Sequence, residues 1–145
     1  MYASTTPFQR SGTCTGMYRE VAVTSSLDSA SPHRLVTMLY EGLLESLAQA
    51  RGAIRSHDIE TKCRSLGRAG RIVEEGLAAG LDLASGGKLA ADLKALYGYI
   101  SLRLIHANLR DDGAAVDECY RLVETLREGW SGIADQTHAA PSVNA

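Results

Sequence analysis

The sequence predicts an all-α protein: an elongated, antiparallel, up-down four-helix bundle with a short N-terminal docking segment. Three observations predict it. Four stretches of about 20–25 residues place apolar side chains at the three- and four-residue spacing of a helix face. Short breaks separate them, so consecutive helices must double back on one another. No segment alternates apolar and polar residues long enough to predict a strand. Helices of that length span roughly 33 Å, which makes the bundle elongated.

Taken in order, residues 1–16 are rich in Ser and Thr and are expected to be a disordered tail. Residues 17–24 change character: Met17, Tyr18, Val21 and Val23 are too apolar for a free tail and predict a docking segment. A Ser/Asp-rich linker, 25–31, leads into helix 1, expected over 32–56. Ser31 suits the N-cap and Pro32 the first helical position. Leu35, Leu39, Leu43, Leu47, Ala50 and Ile54 form its stripe, widened by Val36, Met38 and Tyr40. The helix ends near Ser56–His57, and Asp58 caps helix 2, expected over 58–84. Its heptad is Ile59, Cys63, Leu66, Gly70, Val73, Leu77 and Gly80. Gly67, Gly70, Gly76 and Gly80 each cost about 1 kcal/mol relative to Ala. Two explanations stay open: another helix backbone approaches closely, or the helix is loose and frays after Gly76. Ser85-Gly86-Gly87 breaks the chain before helix 3, 87–110. Asp111-Asp112-Gly113 is the next break, with Asp112 as N-cap of helix 4, 113–135. That helix carries Val116, Cys119, Val123, Leu126, Trp130 and Ile133 on one line. A polar tail, 136–145, is expected to be flexible.

Helix 3 stands apart because it is apolar on two faces. One seam is Leu89, Leu93, Leu96, Ile100, Leu104 and Ala107. The other is Ala95, Tyr99, Leu102, His106 and Leu109. At about 100° per residue the two seams lie well apart around the helix. A helix with two stripes must bury both. The second could be covered by the segment around Tyr18 and Val21, by an amphipathic helix of another protein, or by a bundle crowded enough to bury helix 3 centrally.

Composition narrows the function. The 145 residues suffice for one domain with a core, and 45% hydrophobic with 22% charged residues is ordinary for a soluble globular chain. A net charge of -2 and a pI near 6.1 provide no general field for nucleic acid or an anionic membrane. No apolar run approaches the roughly 20 residues of a membrane span. The N-terminus shows no basic start followed by an apolar stretch, which predicts no secretory signal. Cys14, Cys63 and Cys119 are odd in number and far apart, an argument against a disulfide framework and for a reducing cytosol. Cys63 and Cys119 both fall on apolar seams, where Cys packs as a small hydrophobe.

Catalytic chemistry is not visible. His33, His57, His106 and His138 lack the Glu-x-x-His pairing of di-iron bundles, and no Cys-x-x-Cys supports zinc. No metal and no cofactor are expected. Ser85-Gly86-Gly87-Lys88 fails as a phosphate loop, because Asp82 stands where Gly is needed and Leu89 where Ser or Thr is. His106 has no nucleophile or orienting acid assigned to it by spacing. Arg64, Arg68 and Arg71 form a basic stripe, without interleaved aromatics, that reads as a solvated face rather than a nucleic-acid site.

Specific strings add to this reading. Ala30-Ser31-Pro32-His33-Arg34-Leu35-Val36 followed by Met38-Leu39-Tyr40-Glu41-Gly42 resembles the helix 1 signature of the FliS-type flagellin export chaperones. Tyr18 resembles their N-terminal tyrosine. Leu96-Tyr97-x-Tyr99-Ile100 and Leu104-x-x-Ala107-Asn108 resemble their helix 3 strings, and Leu126-Arg127-x-x-Trp130 their last motif. Gly98 departs from the pattern, standing where the family has an acidic residue. The resemblance implies a non-enzymatic helical bundle of the bacterial cytosol. Such a protein binds the disordered C-terminal segment of flagellin, prevents premature polymerisation and delivers it to the flagellar type III export gate, where Tyr18 would dock. Groove and resemblance together nominate Tyr18, Val21, Tyr40, Ala95, Tyr99, Leu102, His106, Asn108 and Leu109 as partner-binding. Ser31, Pro32, Leu39, Leu96, Ile100, Leu104, Leu126 and Trp130 are expected to be structural. A regulatory or generic secretion-associated adaptor with another helical client is the alternative. Whether the client-free chain pairs with a second copy stays open.

Overall fold

Ser31 opens the first helix as its residue types require. Its backbone is extended, its hydroxyl accepts from the Arg34 N–H at 3.1 Å, and Pro32 follows at the first helical position. The computed structural model describes residues 31–139, so the expected tail, docking segment and most of the linker, with Tyr18 and Val21, lie outside the described residues. Helix α1 runs Pro32–Arg55 and α2 Ile59–Arg71. A π-helical segment, Ile72–Ala78, continues α2. Helices α3, Leu83–Arg110, and α4, Gly113–Ala139, complete an all-α four-helix bundle.

The breaks have local causes. His57 closes α1 in the left-handed region, with φ 59. Asp58 caps α2 by accepting from the Thr61 N–H at 3.1 Å. Asp111, at φ 52, ends α3, and Asp112 accepts from the Ala115 N–H at 3.2 Å to start α4. The junction between α2 and α3 differs from the expected one. The π-helical backbone, with the Ala79 N–H bonded to the Glu74 carbonyl five residues back, ends the second helix at Ala78 instead of residue 84. Asp82 caps a turn that begins at Leu83, accepting from the Ala84 and Ser85 N–H groups, both at 3.1 Å. Gly87 then breaks the helix at φ 60, ψ -142, a conformation open almost only to glycine. Beyond it the buried line of α3 begins at Ala90, three residues before Leu93 and seven before Tyr97, while Leu89 is 62% exposed. At the other end α4 passes the expected limit of residue 135 and reaches Ala139.

Each helix packs on its neighbours in the order α1, α2, α3, α4, and α4 returns to α1. Helices α1 and α3 stand diagonally, joined through the centre where the Tyr40 and Tyr97 hydroxyls meet at 2.5 Å. Leu39, Leu43, Leu47 and Ala50 of α1 form the middle of the core. Against them lie Leu66, Ala69, Ile72, Val73 and Leu77, then Ile100, Leu104 and Ala107, then Val116, Cys119 and Val123. Leu96, Leu126 and Trp130 pack half-buried at its edge. The ends of α1 and α4 are clasped. The His33 and Trp130 rings stack at 4.4 Å, Trp130 Nε1 donates to the His33 carbonyl at 3.0 Å, and His33 Nε2 lies 2.8 Å from the Trp130 carbonyl. Arg51 ties the same two helices, meeting Asp117 at 3.1 Å and lying 4.8 Å over the Tyr120 ring.

The expected heptad of helix 2 is rotated. Its buried line is Lys62, Ser65, Leu66, Ala69, Ile72, Val73 and Leu77, while Ile59 and Cys63 are exposed. Cys63 is thus no core hydrophobe, in contrast to Cys119, which is fully buried. Lys62 fits inside because its ammonium reaches the end of α3. There it donates to the Asn108 carbonyl at 3.0 Å and to Asp111 at 2.5 Å, neutralising the negative end of that helix.

Candidate functional site

The two seams of α3 have opposite fates. Ile100, Leu104 and Ala107 are buried, with Tyr97 beside them. The second face stays open: Tyr99 is 42% exposed, Leu102 68%, Ile105 56% and Leu109 76%. Helix α3 is therefore not buried centrally among the described residues. A run of four large apolar side chains along one helix is the pattern of a surface awaiting a partner.

Beside that face runs a trough between α3 and the α2–π segment. Its lower part, about 370 Å³, is bounded by Cys63, Leu66, Gly67, Gly70 and Arg71 on one wall. Ser101, Leu104, Ile105, Asn108 and Leu109 form the other wall. The upper part, about 660 Å³, lies between Val73, Glu74 and Ala78 on one side and Lys94, Ala95, Tyr97, Gly98, Tyr99, Leu102 and Ile105 on the other. Glu74, Ser101 and Ile105 border both parts, so the trough is continuous. From Lys94 to Leu109 it follows α3 for roughly 22 Å, about four helical turns.

Glycine shapes it. A Cβ added to Gly67, Gly70 or Gly98 would meet nothing within 4 Å. The first two therefore admit no neighbouring helix of the described chain; they leave one wall low. Gly98 does the same for the opposite wall. The π-helical segment supplies Val73, Glu74 and Ala78 to the upper part while Ile72 and Leu77 stay in the core.

Polar contacts hold α3 against α4. Tyr99 donates its hydroxyl hydrogen to Glu118 at 2.6 Å, and Arg103 Nε donates to the same carboxylate at 2.8 Å. Those two donors, Tyr99 first and Arg103 second, hold Glu118 below the usual carboxylate range, and Glu118 in turn raises Tyr99. Tyr99 is thus fixed by its hydroxyl and borders the trough.

The nominated residues separate accordingly. Ala95, Tyr99 and Leu102 border the upper part, and Asn108 and Leu109 the lower. Tyr40 does not belong with them: it is 2% exposed, and burial raises its hydroxyl above the ordinary tyrosine value although the Tyr97 bond opposes this. Nor does His106 border the trough; its Nε2 lies 3.1 Å from Asp112, at the α3–α4 corner. Ile105, missed from sequence, fills the place assigned to His106. Its signal was present, since Leu102, Ile105 and Leu109 are spaced three and four. Among the described residues no group of three or more His, Cys, Asp and Glu could hold a metal ion, and no helix is long and apolar enough to cross a membrane.

Comparison with known proteins decides the family. The profile of the family described as "Flagellar protein FliS" matches residues 15–137. This chain belongs to the FliS family. It is 40% identical over 117 residues to the "Flagellar secretion chaperone FliS" of Salmonella typhimurium, covering 81% of this chain and 87% of that one. It is also 40% identical over 117 residues to the "Flagellar secretion chaperone FliSB" of Pseudomonas aeruginosa, covering 81% and 92%. A solved structure described as "Crystal structure of flagellar chaperone from bacteria" shares the fold at a TM-score of 0.68 and 18% identity, covering 76% of this FliS-family chain and 89% of the other.

Proposed function

We propose that this FliS-family protein is a cytosolic export chaperone whose trough receives the disordered C-terminal segment of flagellin. Binding keeps that segment from polymerising and presents it to the flagellar type III export apparatus. One observation carries the reading: an apolar face that the described residues leave exposed, Tyr99, Leu102, Ile105 and Leu109, borders a continuous trough about four turns long. A segment that folds only on binding spends ordering entropy and recovers it by burying an apolar face. An extended trough suits such a client better than a compact pocket does. The reaction is association, and no side chain need donate or accept a proton in it.

Residues 17–24 have a place in this scheme as a tethered cover for the trough in the client-free protein, with Tyr18 as the contact to the export gate. Tyr18→Ala should then leave client binding intact and lose secretion.

Calorimetric titration with the C-terminal flagellin segment from the same organism tests the proposal. The expected result is saturable one-to-one binding with a negative heat-capacity change and a gain of helical circular dichroism. Flat heats at high concentration would assign the trough to a different helical client.

A further inference from the structure

We propose that Glu74 and Ser101, at the waist where the two parts of the trough meet, fix the register of the bound client helix by demanding one hydrogen-bond donor from its apolar face. The inference rests on the client reading above and adds the chemistry that selects the client's position. The two residues lie on opposite walls, Glu74 on the π-helical segment and Ser101 on α3, and both border both parts of the trough.

Ser101 contrasts with three other hydroxyls of these helices. Thr37, Ser65 and Thr125 each donate to the carbonyl four residues earlier, at 3.1, 2.7 and 3.1 Å. The Ser101 hydroxyl is shielded from water and has no hydrogen-bond partner. A buried hydroxyl left this way is a standing cost, removed when a partner arrives. A change of staggered rotamer turns the oxygen toward an arriving group.

Glu74 supplies the charge. Among the described residues its carboxylate makes no ion pair, although the neighbouring Glu75 is paired with Arg71 at 3.8 Å. While the trough is open, water solvates Glu74. A helix laid along Tyr99, Leu102 and Ile105 strips part of that water away, and an unpaired carboxylate facing apolar surface is strongly unfavourable. A lysine, arginine, glutamine or asparagine of the client at that level removes the penalty; a leucine there does not. Slipping the client by one turn moves its donor away from the waist, so wrong registers are disfavoured. This is the logic by which one polar position fixes register in an otherwise apolar helical interface.

The test uses the full-length protein and synthetic peptides of the flagellin C-terminal segment in which each polar residue of the apolar face is replaced by leucine in turn. With the native chaperone, one replacement is expected to weaken binding tenfold or more. With the Glu74→Leu/Ser101→Ala variant, that same replacement should be neutral or strengthen binding, while the other peptides keep their ranking. A peptide ranking unchanged between native chaperone and variant, both binding, overturns the waist and leaves the client reading standing. Failure of every peptide to bind the native chaperone overturns both. Ser101→Ala alone provides a second check: it should leave the melting temperature of the free protein unchanged or raised. A clear loss of stability would show that the hydroxyl has a partner already, and would remove Ser101 from the proposal.

Discussion

Cys63 and Cys119 show how much one residue's surroundings decide. Cys119 is fully buried between α3 and α4, and burial pushes its thiol up to about 11. Cys63 is exposed on α2, borders the lower trough and places its Sγ 3.6 Å from Asn108 Oδ1. Brief alkylation of the native protein, read by mass spectrometry, should therefore modify Cys63 and spare Cys119, because the thiolate is the reacting form. Bound client should protect Cys63 in addition. Labelling of Cys119 at a similar rate would contradict the packing. From sequence the two cysteines were indistinguishable, each on an apolar line. Tyr40 posed the same problem in reverse, an aromatic in a family-like motif that packs inward onto Tyr97. Residue type gives affinity for an apolar environment, not the identity of the neighbour.

At the level of elements, α3 carries two surfaces with separate energetic roles. Leu102 is already 68% exposed, so Leu102→Asp should change folding stability by less than about 0.5 kcal/mol. The same substitution removes a side chain whose burial is worth about 1.5–3 kcal/mol and desolvates a charge. Client affinity should fall roughly 10- to 100-fold with circular dichroism unchanged. Unfolding of the variant would show this seam to be core. The caps respond to acid. Asp58 and Asp82 are lowered chiefly by side-chain bonds to Thr61 and Ser85, and Asp112 chiefly by the Ala115 N–H. Glu118 is lowered by Tyr99 and Arg103. A carboxylate lowered in the folded state stabilises it above its ordinary value, 3.8 for Asp and 4.5 for Glu, and that stabilisation is lost as pH falls through the lowered value. The melting temperature should hold from neutral pH down to about 5 and decline steadily below about 4. A flat profile into that acid range would mean the caps contribute little. The expected helix-2 heptad differs from the buried line because it runs along the boundary between core and trough. There, periodicity alone cannot tell a packed side from an open one.

The described residues form a ring of four helices, with α1 and α3 at opposite corners, the core between them and one apolar flank open along α3. An uncovered flank of that kind favours association, with a client, a second copy or a segment of the same chain. Deleting residues 1–24 separates the last case from the others. If residues 17–24 cover the trough, the shortened protein should bind an apolar-surface dye more strongly than the full chain at equal helicity. Equal fluorescence would remove the cover from the scheme.

By itself the sequence determined the helical class, the number of helices, most of their caps and the presence of two apolar seams on the third helix. These follow from local rules: the 3.6-residue period, capping side chains and the resistance of Gly and Pro to helix interiors. Motif resemblance added the family. Only the tertiary structure decided which seam is core, that Ile105 replaces His106 along the trough, that Lys62 turns inward, and that the π-helical segment sets Glu74 opposite Ser101. Those outcomes depend on which helices become neighbours and how far apart their backbones settle. Both depend on contacts between residues distant in the chain, which local periodicity does not encode.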